Sequence, residues 1–354
     1  MTIVIEPDSF LESSRLPVVD VRSPSEFAQG HIPSATNVPL FSDAERAEVG
    51  TLYKQEGSET AIKCGRELAE AKVEQFLIDV RAVTPGPDLV VHCWRGGMRS
   101  EGFAEMLTQN GFQPQLIRGG YKAYRHAVRD CLALPRRIVI LSGQSGAGKT
   151  RLLELLRDAG EQIIDLEDLA GHRGSVFGGI DLPPQPSIEQ FENELCKQWL
   201  TLDAERPVWI EGESQLIGRV FIPHVFWEQM STAPTIFIEV PVDERVNFLV
   251  QEYGDLPVDE LAAAMKRISK RLGGARMQAA LDALDRQDVH TFAKIALEYY
   301  DKAYTNAQEK RPRIAALNVP LERHDQPGAV EILCQSATEV FALPNELPSE
   351  LPNE

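Results

Sequence analysis

The sequence is short of several features, and each shortage excludes a class of protein. Aromatic residues make up only 7% of its 354 positions, yet 43% are apolar and 25% charged. That is the composition of a soluble globular protein with a sizeable core, which rules out wholesale disorder and a collagen-like fibre. No apolar run approaches the roughly 18 residues that span a bilayer, and residues 1–10 carry acids where a signal peptide carries base. A cytoplasmic protein without a membrane partner is expected. Base is scarce: 36 Lys and Arg face 53 Asp and Glu, a net charge of −17. This argues against coating nucleic acid by general positive charge and leaves room only for a local basic patch. The five cysteines (64, 93, 131, 196, 334) are odd in number and scattered, without a C-x-x-C pair, which argues against a disulfide framework and a structural zinc site. No fixed-period repeat indicates a solenoid.

What is present is strand and helix signals in alternation, over a length that suits about two domains. Pro17 to Val21, Leu89 to His92 and Arg137 to Ser142 are β-branched or apolar runs of the kind that form buried parallel strands. The expected fold class is α/β throughout: residues 1–134 as a first parallel-sheet domain with a connecting helix from Tyr121 to Leu134, and residues 135–342 as a second α/β domain with additional helices. Residues 343–354 repeat proline among polar and acidic residues and are expected to form a disordered tail.

The run Cys93-Trp94-Arg95-Gly96-Gly97-Met98-Arg99-Ser100 follows one strand and precedes a helical pattern. Adjacent glycines let the backbone curl so that successive N–H groups point inward, the helix contributes its positive end, and Arg95 and Arg99 supply full charge. Such a loop favours an anionic sulfur at Cys93 or an oxyanion bound beside it. The other four cysteines read as core residues. Upstream lie Asp20-Val21-Arg22-Ser23-Pro24-Ser25-Glu26-Phe27 and Gly30-His31-Ile32-Pro33. With the cysteine loop, these segments resemble the rhodanese family, which moves sulfur through a cysteine persulfide. Asp20 is then a candidate for lining the pocket in a supporting role, and His31 reads as a scaffold residue, because sulfur transfer needs no general base. The loop is one residue longer than the commonest short rhodanese form. Cysteine-dependent phosphatases share its Cys-x5-Arg spacing, and that reading stays open beside a cradle wide enough for selenophosphate.

Gly143-Gln144-Ser145-Gly146-Ala147-Gly148-Lys149-Thr150 fits G-x-x-x-x-G-K-[ST] between a strand and an amphipathic helix, which is the setting of a phosphate loop (P-loop). Gly143, Ser145, Gly146, Ala147 and Gly148 would surround a diphosphate, Lys149 would neutralise it, and Thr150 could ligate Mg²⁺. Val208 to Ser214 reads as a strand ending in acids, so that Glu211 and Glu213 either position a magnesium ion or are simply solvated. The glycine-rich loop after Asp165-Leu166-Glu167 carries Arg173, suited to a phosphate or an RNA backbone. Arg219, Lys266, Arg267, Lys270, Arg271 and Arg276, with Tyr299, Tyr300 and Tyr304 near in sequence, are further RNA-contact candidates, of which only a minority are expected to serve.

The order of these segments resembles the bacterial tRNA 2-selenouridine synthase family: a rhodanese-like domain fused to a P-loop NTPase-like domain. Val49 to Gly57, Ile117 to Ala123, His172 to Ser175, Phe191-Glu192-Asn193 and Arg271-Leu272-Gly273 also match. The resemblance implies a transferase that exchanges sulfur for selenium in 2-thiouridine at the wobble position of the tRNAs for lysine, glutamate and glutamine. It implies two steps: S-geranylation from geranyl diphosphate, then displacement by selenium from selenophosphate carried on Cys93, with selenophosphate synthetase as a potential delivering partner. Two other classes remain open, a nucleotide-driven sulfurtransferase or kinase, and an anion-sensing interaction protein.

Overall fold

In the computed structural model, residues 3–310 and 316–342 are described; the expected tail lies outside them, as does the side chain of Tyr304. The chain divides into two compact units. The first comprises Met1–Ala133 and Ser187–Thr201, and the second comprises Leu134–Pro186 and Leu202–Glu354. The continuous second domain expected over 135–342 is therefore interrupted. Helix Ile188–Thr201 belongs to the first unit, because its buried Phe191, Asn193 and Cys196 face partners there. Asn193 donates to the carbonyl of His31 (2.7 Å) and to the Tyr121 hydroxyl (2.8 Å), and accepts from Arg125. Glu192 pairs with Arg125, so the Phe191-Glu192-Asn193 segment acts as a docking surface.

The first unit is built on a parallel sheet of β1 (Ile3–Ile5), β2 (Val18–Asp20), β3 (Thr36–Asn37), β4 (Asp88–His92) and β5 (Gln113–Ile117), in the order β1-β5-β4-β2-β3. All of β2 and four of the five residues of β4 are buried, as befits strands covered on both faces. Val19, Val21, Leu89 and Val91 pack with Phe76, Phe103 and Leu107 in the core. Connections leave β2 and β4 towards opposite sheet edges, so the carboxyl ends of these two strands open a crevice at the switch of direction.

The second unit repeats this logic with β6 (Ile138–Gly143), β7 (Gln162–Ile164), β8 (Val208–Glu211), the short antiparallel ribbon β9 (Leu216–Ile217) and β10 (Val220–Phe221), β11 (Thr235–Glu239) and β12 (Ala316–Pro320). Its parallel sheet runs β12-β11-β6-β8-β7, which puts the fully buried β6 at the centre and the switch point at its carboxyl end. Val139, Leu141 and Trp209 pack against Leu152, Leu153 and Leu156 of helix Lys149–Asp158 and Leu333 of helix Ala329–Ala342. A separate helical layer, with Leu261, Met265, Ala280, Phe292 and Ala296 at its core, encloses Phe177. No helix among the described residues is long and apolar enough to cross a membrane.

Candidate functional site

The first site lies at the carboxyl end of β4. Cys93 follows the strand directly, Gly96 turns the chain at φ +65°, and helix Met98–Gln109 begins two residues later. The loop is braced from behind by the next helix: Tyr121 N–H donates to the Cys93 carbonyl and Lys122 N–H to that of Trp94, each at 2.9 Å. Gly120 sits so close that a Cβ there would lie 2.4 Å from both the Cys93 carbonyl oxygen and the Gly96 nitrogen. This explains Gly120, the second glycine after Arg118, as a packing requirement of the cysteine loop. Cys93 is buried, with Sγ 3.2 Å from the Ser100 hydroxyl, and it opens into a cavity of about 620 Å³ shared with Trp94, Arg95, Gly97, Arg99 and Glu26.

Charge at this cavity is balanced by Glu26. Ser23 and Glu26 form a capping box at the start of helix Pro24–Gln29, and the same carboxylate accepts from Arg99 at 2.8 Å. Burial opposes its ionisation, but Arg99 holds the Glu26 carboxyl below its ordinary value. An arriving anion would compete with Glu26 for Arg99. Asp20 does not line the cavity, contrary to expectation. It is fully buried in a bidentate pair with Arg22, whose guanidinium also stacks 3.8 Å over the Tyr121 ring. Burial raises the Asp20 carboxyl, while His92 and Arg22 together hold it below the ordinary range. The His31 ring stacks on Phe27, and the His31 backbone N–H donates to Gln190 at 2.8 Å.

The second site lies at the carboxyl end of β6. Residues Gly143 to Thr150 curl around the mouth of a cavity of about 1150 Å³, and helix Lys149–Asp158 points its N-terminus at it. Gly146 has φ +77° and lies against Arg245, where a Cβ would meet the backbone oxygen at 2.9 Å. Lys149 Nζ stands 3.5 Å from the Gly143 carbonyl, and the Thr150 hydroxyl 3.5 Å from a Glu167 carboxylate oxygen. Glu167, Glu211 and Glu213 each offer an oxygen within 4.8 Å of the others. They meet because β7 and β8 pair in register (Ile164 with Ile210), each ending in an acidic segment. Glu211 is fully buried; one of its oxygens accepts from the Glu167 N–H at 3.0 Å, and the other has no hydrogen-bond partner. Burial, reinforced by the neighbouring Glu213, pushes the Glu167 carboxyl up to about 8; burial likewise raises Glu211 and Glu213.

A family model described as the tRNA 2-selenouridine synthase AAA domain matches residues 136–318, and one described as a rhodanese-like domain matches residues 7–127. The curated tRNA 2-selenouridine synthase of Shewanella denitrificans is 36% identical, with 89% of this chain and 95% of that protein covered. That of Nitrosomonas europaea is 33% identical, covering 83% and 90%, and that of a Sulfurovum species 36% identical, covering 81% and 87%. The chain belongs to the tRNA 2-selenouridine synthase family. The rhodanese-like match falls within the first unit, and the AAA-domain match covers most of the second together with helix Ile188–Thr201 of the first.

Among the remaining sequence candidates in this family member, Arg173 lines the P-loop cavity together with Gly174 and Ser175. Arg219 does not: it is exposed and donates to the Gln185 carbonyl at 2.6 Å. Arg271 is also exposed and away from the loop, bonded to Tyr299. Lys266, Arg267, Lys270 and Arg276 are exposed, and Arg276 pairs with Glu298 at 3.6 Å.

Sequence reasoning missed Arg245. This guanidinium, 2% exposed, donates to the Ser145 carbonyl at 3.1 Å and makes two 2.8 Å bonds to Asp301, tying the P-loop to helix Val289–Lys310. Nothing local marks it, because its partners lie 100 and 56 residues away. Arg245→Met is expected to lower stability to urea by about 3 kcal/mol, the scale of breaking a buried pair, and to weaken inorganic diphosphate binding. An unchanged unfolding midpoint would show that the clamp contributes nothing.

Proposed function

We propose that this chain converts 2-thiouridine at the wobble position of the tRNAs for lysine, glutamate and glutamine to 2-selenouridine, through an S-geranyl intermediate. The coarse class, a tRNA-modifying transferase, comes with the family. The observation that carries the finer reading is the lining of the P-loop cavity, which joins the loop residues and Lys149 to apolar Phe177, Leu261 and Phe292. Such a cavity suits a diphosphate attached to a hydrocarbon. In the first step the thiocarbonyl sulfur attacks C1 of geranyl diphosphate, the C–O bond breaks, and the diphosphate departs with the electron pair. Loop amides and Lys149 hold the charge that develops on it. Alkylation makes the sulfur a better leaving group. Selenophosphate attacks Cys93 held as a mixed disulfide with a small thiol, so that the thiol and, on hydrolysis of the P–Se bond, phosphate leave a Cys93 selenylsulfide. Its selenium then bonds to C2 with expulsion of geranylthiolate, and the released thiol cleaves the S–Se bond, freeing 2-selenouridine and restoring the mixed disulfide. Arg95 and Arg99 bind the selenophosphate anion, with Arg99 exchanging Glu26 for it.

The acidic cluster fits a divalent cation, since Glu211 keeps a buried oxygen without a partner beside two further carboxylates and the Thr150 hydroxyl. Glu167, Glu211, Glu213 and Thr150 would hold Mg²⁺, which would neutralise diphosphate charge when bound. Without the ion, the folded protein keeps a proton on Glu167 that the unfolded chain loses near 4.5 and the folded chain only near 8. Linkage then makes stability fall as pH rises across that window, by up to about 1.4 kcal/mol per pH unit for each proton retained. Melting in chelator should therefore drop between about pH 5 and pH 8, with Mg²⁺ flattening the curve and Glu211→Gln reducing the slope. A flat curve in chelator would contradict this assignment.

The overall test is nucleoside mass analysis of tRNA bearing 2-thiouridine after incubation with the protein and geranyl diphosphate, with and without selenophosphate. Geranylated nucleoside without selenophosphate, and selenated nucleoside with it, are expected. Unchanged nucleosides alongside consumption of ATP or GTP would replace this reading with a nucleotide-driven one.

A further inference from the structure

The Cys93 cavity is also lined by an arginine from outside the cysteine loop, Arg46 of helix Asp43–Gln55. Two helix starts place it there. Ser42 and Glu45 cap this helix reciprocally, and Asp43 accepts from the Ser25 hydroxyl at 2.6 Å and the Ser25 N–H at 3.0 Å, which fixes its first turn against that of helix Pro24–Gln29. Gly50 leaves room for the Arg46 side chain, since a Cβ there would lie 2.9 Å from one of its terminal nitrogens. Arg46 Nε is thereby held 3.9 Å from Glu26 Oε2. That is too long for a hydrogen bond, and this buried Nε has no hydrogen-bond partner. The same Glu26 oxygen accepts from Arg99 at 2.8 Å and from the Ser23 N–H at 3.1 Å. One carboxylate thus serves one guanidinium and leaves a second beside it with a bond unmade.

We propose that Arg46 is a positioning residue for anion capture: when selenophosphate takes Arg99, the Glu26 carboxylate passes to Arg46, which holds the displaced charge. The proposal rests on the reading that Arg99 receives the selenophosphate anion. Without a second cation, the displaced carboxylate would stand beside the incoming anion, and their repulsion would oppose binding. A shift of about 1 Å brings Glu26 Oε2 within hydrogen-bond reach of Arg46 Nε, a donor that stays unpaired while Glu26 is on Arg99. Glu26 is therefore paired before and after the exchange. Its place in the capping box with Ser23 keeps it within reach of both arginines.

The test is the dependence of selenation rate on selenophosphate concentration, in tRNA that already carries the S-geranyl group and with a small thiol present, for wild type, Arg46→Met, Glu26→Gln, the double variant and Arg99→Met. Arg46→Met is expected to raise KM for selenophosphate about tenfold with kcat within about twofold, because the carboxylate then has no second partner. Glu26→Gln keeps the cap of its helix, since glutamine also serves in a capping box, and removes the competing charge, so KM should fall. In the Glu26→Gln background, Arg46→Met should change KM by less than about twofold. General damage from loss of Arg46 would not be repaired by a substitution at Glu26. An equal rise in KM with and without the Glu26 carboxylate would make Arg46 a direct ligand of the anion and overturn the exchange. An unchanged KM in Arg46→Met beside a raised one in Arg99→Met would overturn the exchange while leaving the Arg99 reading intact, and an unchanged KM in Arg99→Met would overturn that reading itself. Should Arg46→Met fail to fold, Arg46→Lys decides by the same comparison: a rise in KM that Glu26→Gln abolishes supports the exchange, and a persistent rise or none rejects it.

Discussion

Lys149→Ala is expected to lower S-geranylation of 2-thiouridine by at least about 100-fold, equivalent to about 2.7 kcal/mol of transition-state stabilisation. Charge builds on the departing diphosphate as the C–O bond breaks. The Lys149 ammonium stands at the start of the helix after β6, on the rim of the loop where that charge would be received. Arginine should rescue poorly, because a planar fork does not reproduce a compact ammonium at the end of a tight loop. The assignment to the first step can be isolated. Given tRNA that already carries the S-geranyl group, Lys149→Ala should complete selenation at the wild-type rate. Wild-type geranylation by the variant would remove the P-loop from leaving-group chemistry.

The second large effect is the converse. Cys93→Ser should make geranylated nucleoside normally and lose selenation by at least about 1000-fold, the scale on which removal of a reacting nucleophile acts. Serine keeps the size of the side chain and a hydrogen bond to Ser100, 3.2 Å from Sγ in the parent, so the loop should keep its form. Its hydroxyl cannot carry selenium. Accumulation of the S-geranyl nucleoside in the presence of selenophosphate would be the signature. Full selenation by Cys93→Ser would leave the cysteine loop with a binding role alone.

Both loops were legible in the sequence for the same reason. An anion cradle made of consecutive backbone amides, closed by glycines and continued by a helix, is contiguous in the chain; its strand, turn and helix signals therefore appear in order. The α/β class followed from the buried apolar strands that precede each loop. His31 could be set aside because sulfur transfer needs no base. Asp20 was placed in the pocket, since a carboxylate at a strand end in this setting can face either the ligand or a neighbouring cation. Only the three-dimensional position of Arg22 settled it.

The rest was decided by residues distant in sequence. Glu167 and Glu211 meet through strand register, 44 positions apart, and burial, reinforced by Glu167, raises the Glu211 carboxyl. Glu26 reaches Arg99 across 73 positions, and Arg245 reaches Ser145 across 100. Helix Ile188–Thr201 returns to the first unit because Asn193 and Glu192 find Arg125 and Tyr121 there, a match that no local pattern announces. The apolar cluster around Phe177 draws its members from separate helices, each with an ordinary core periodicity. Local backbone chemistry is written residue by residue in the chain. Burial, charge balance and cavity shape arise only when the sheets bring distant side chains within a few ångströms of one another.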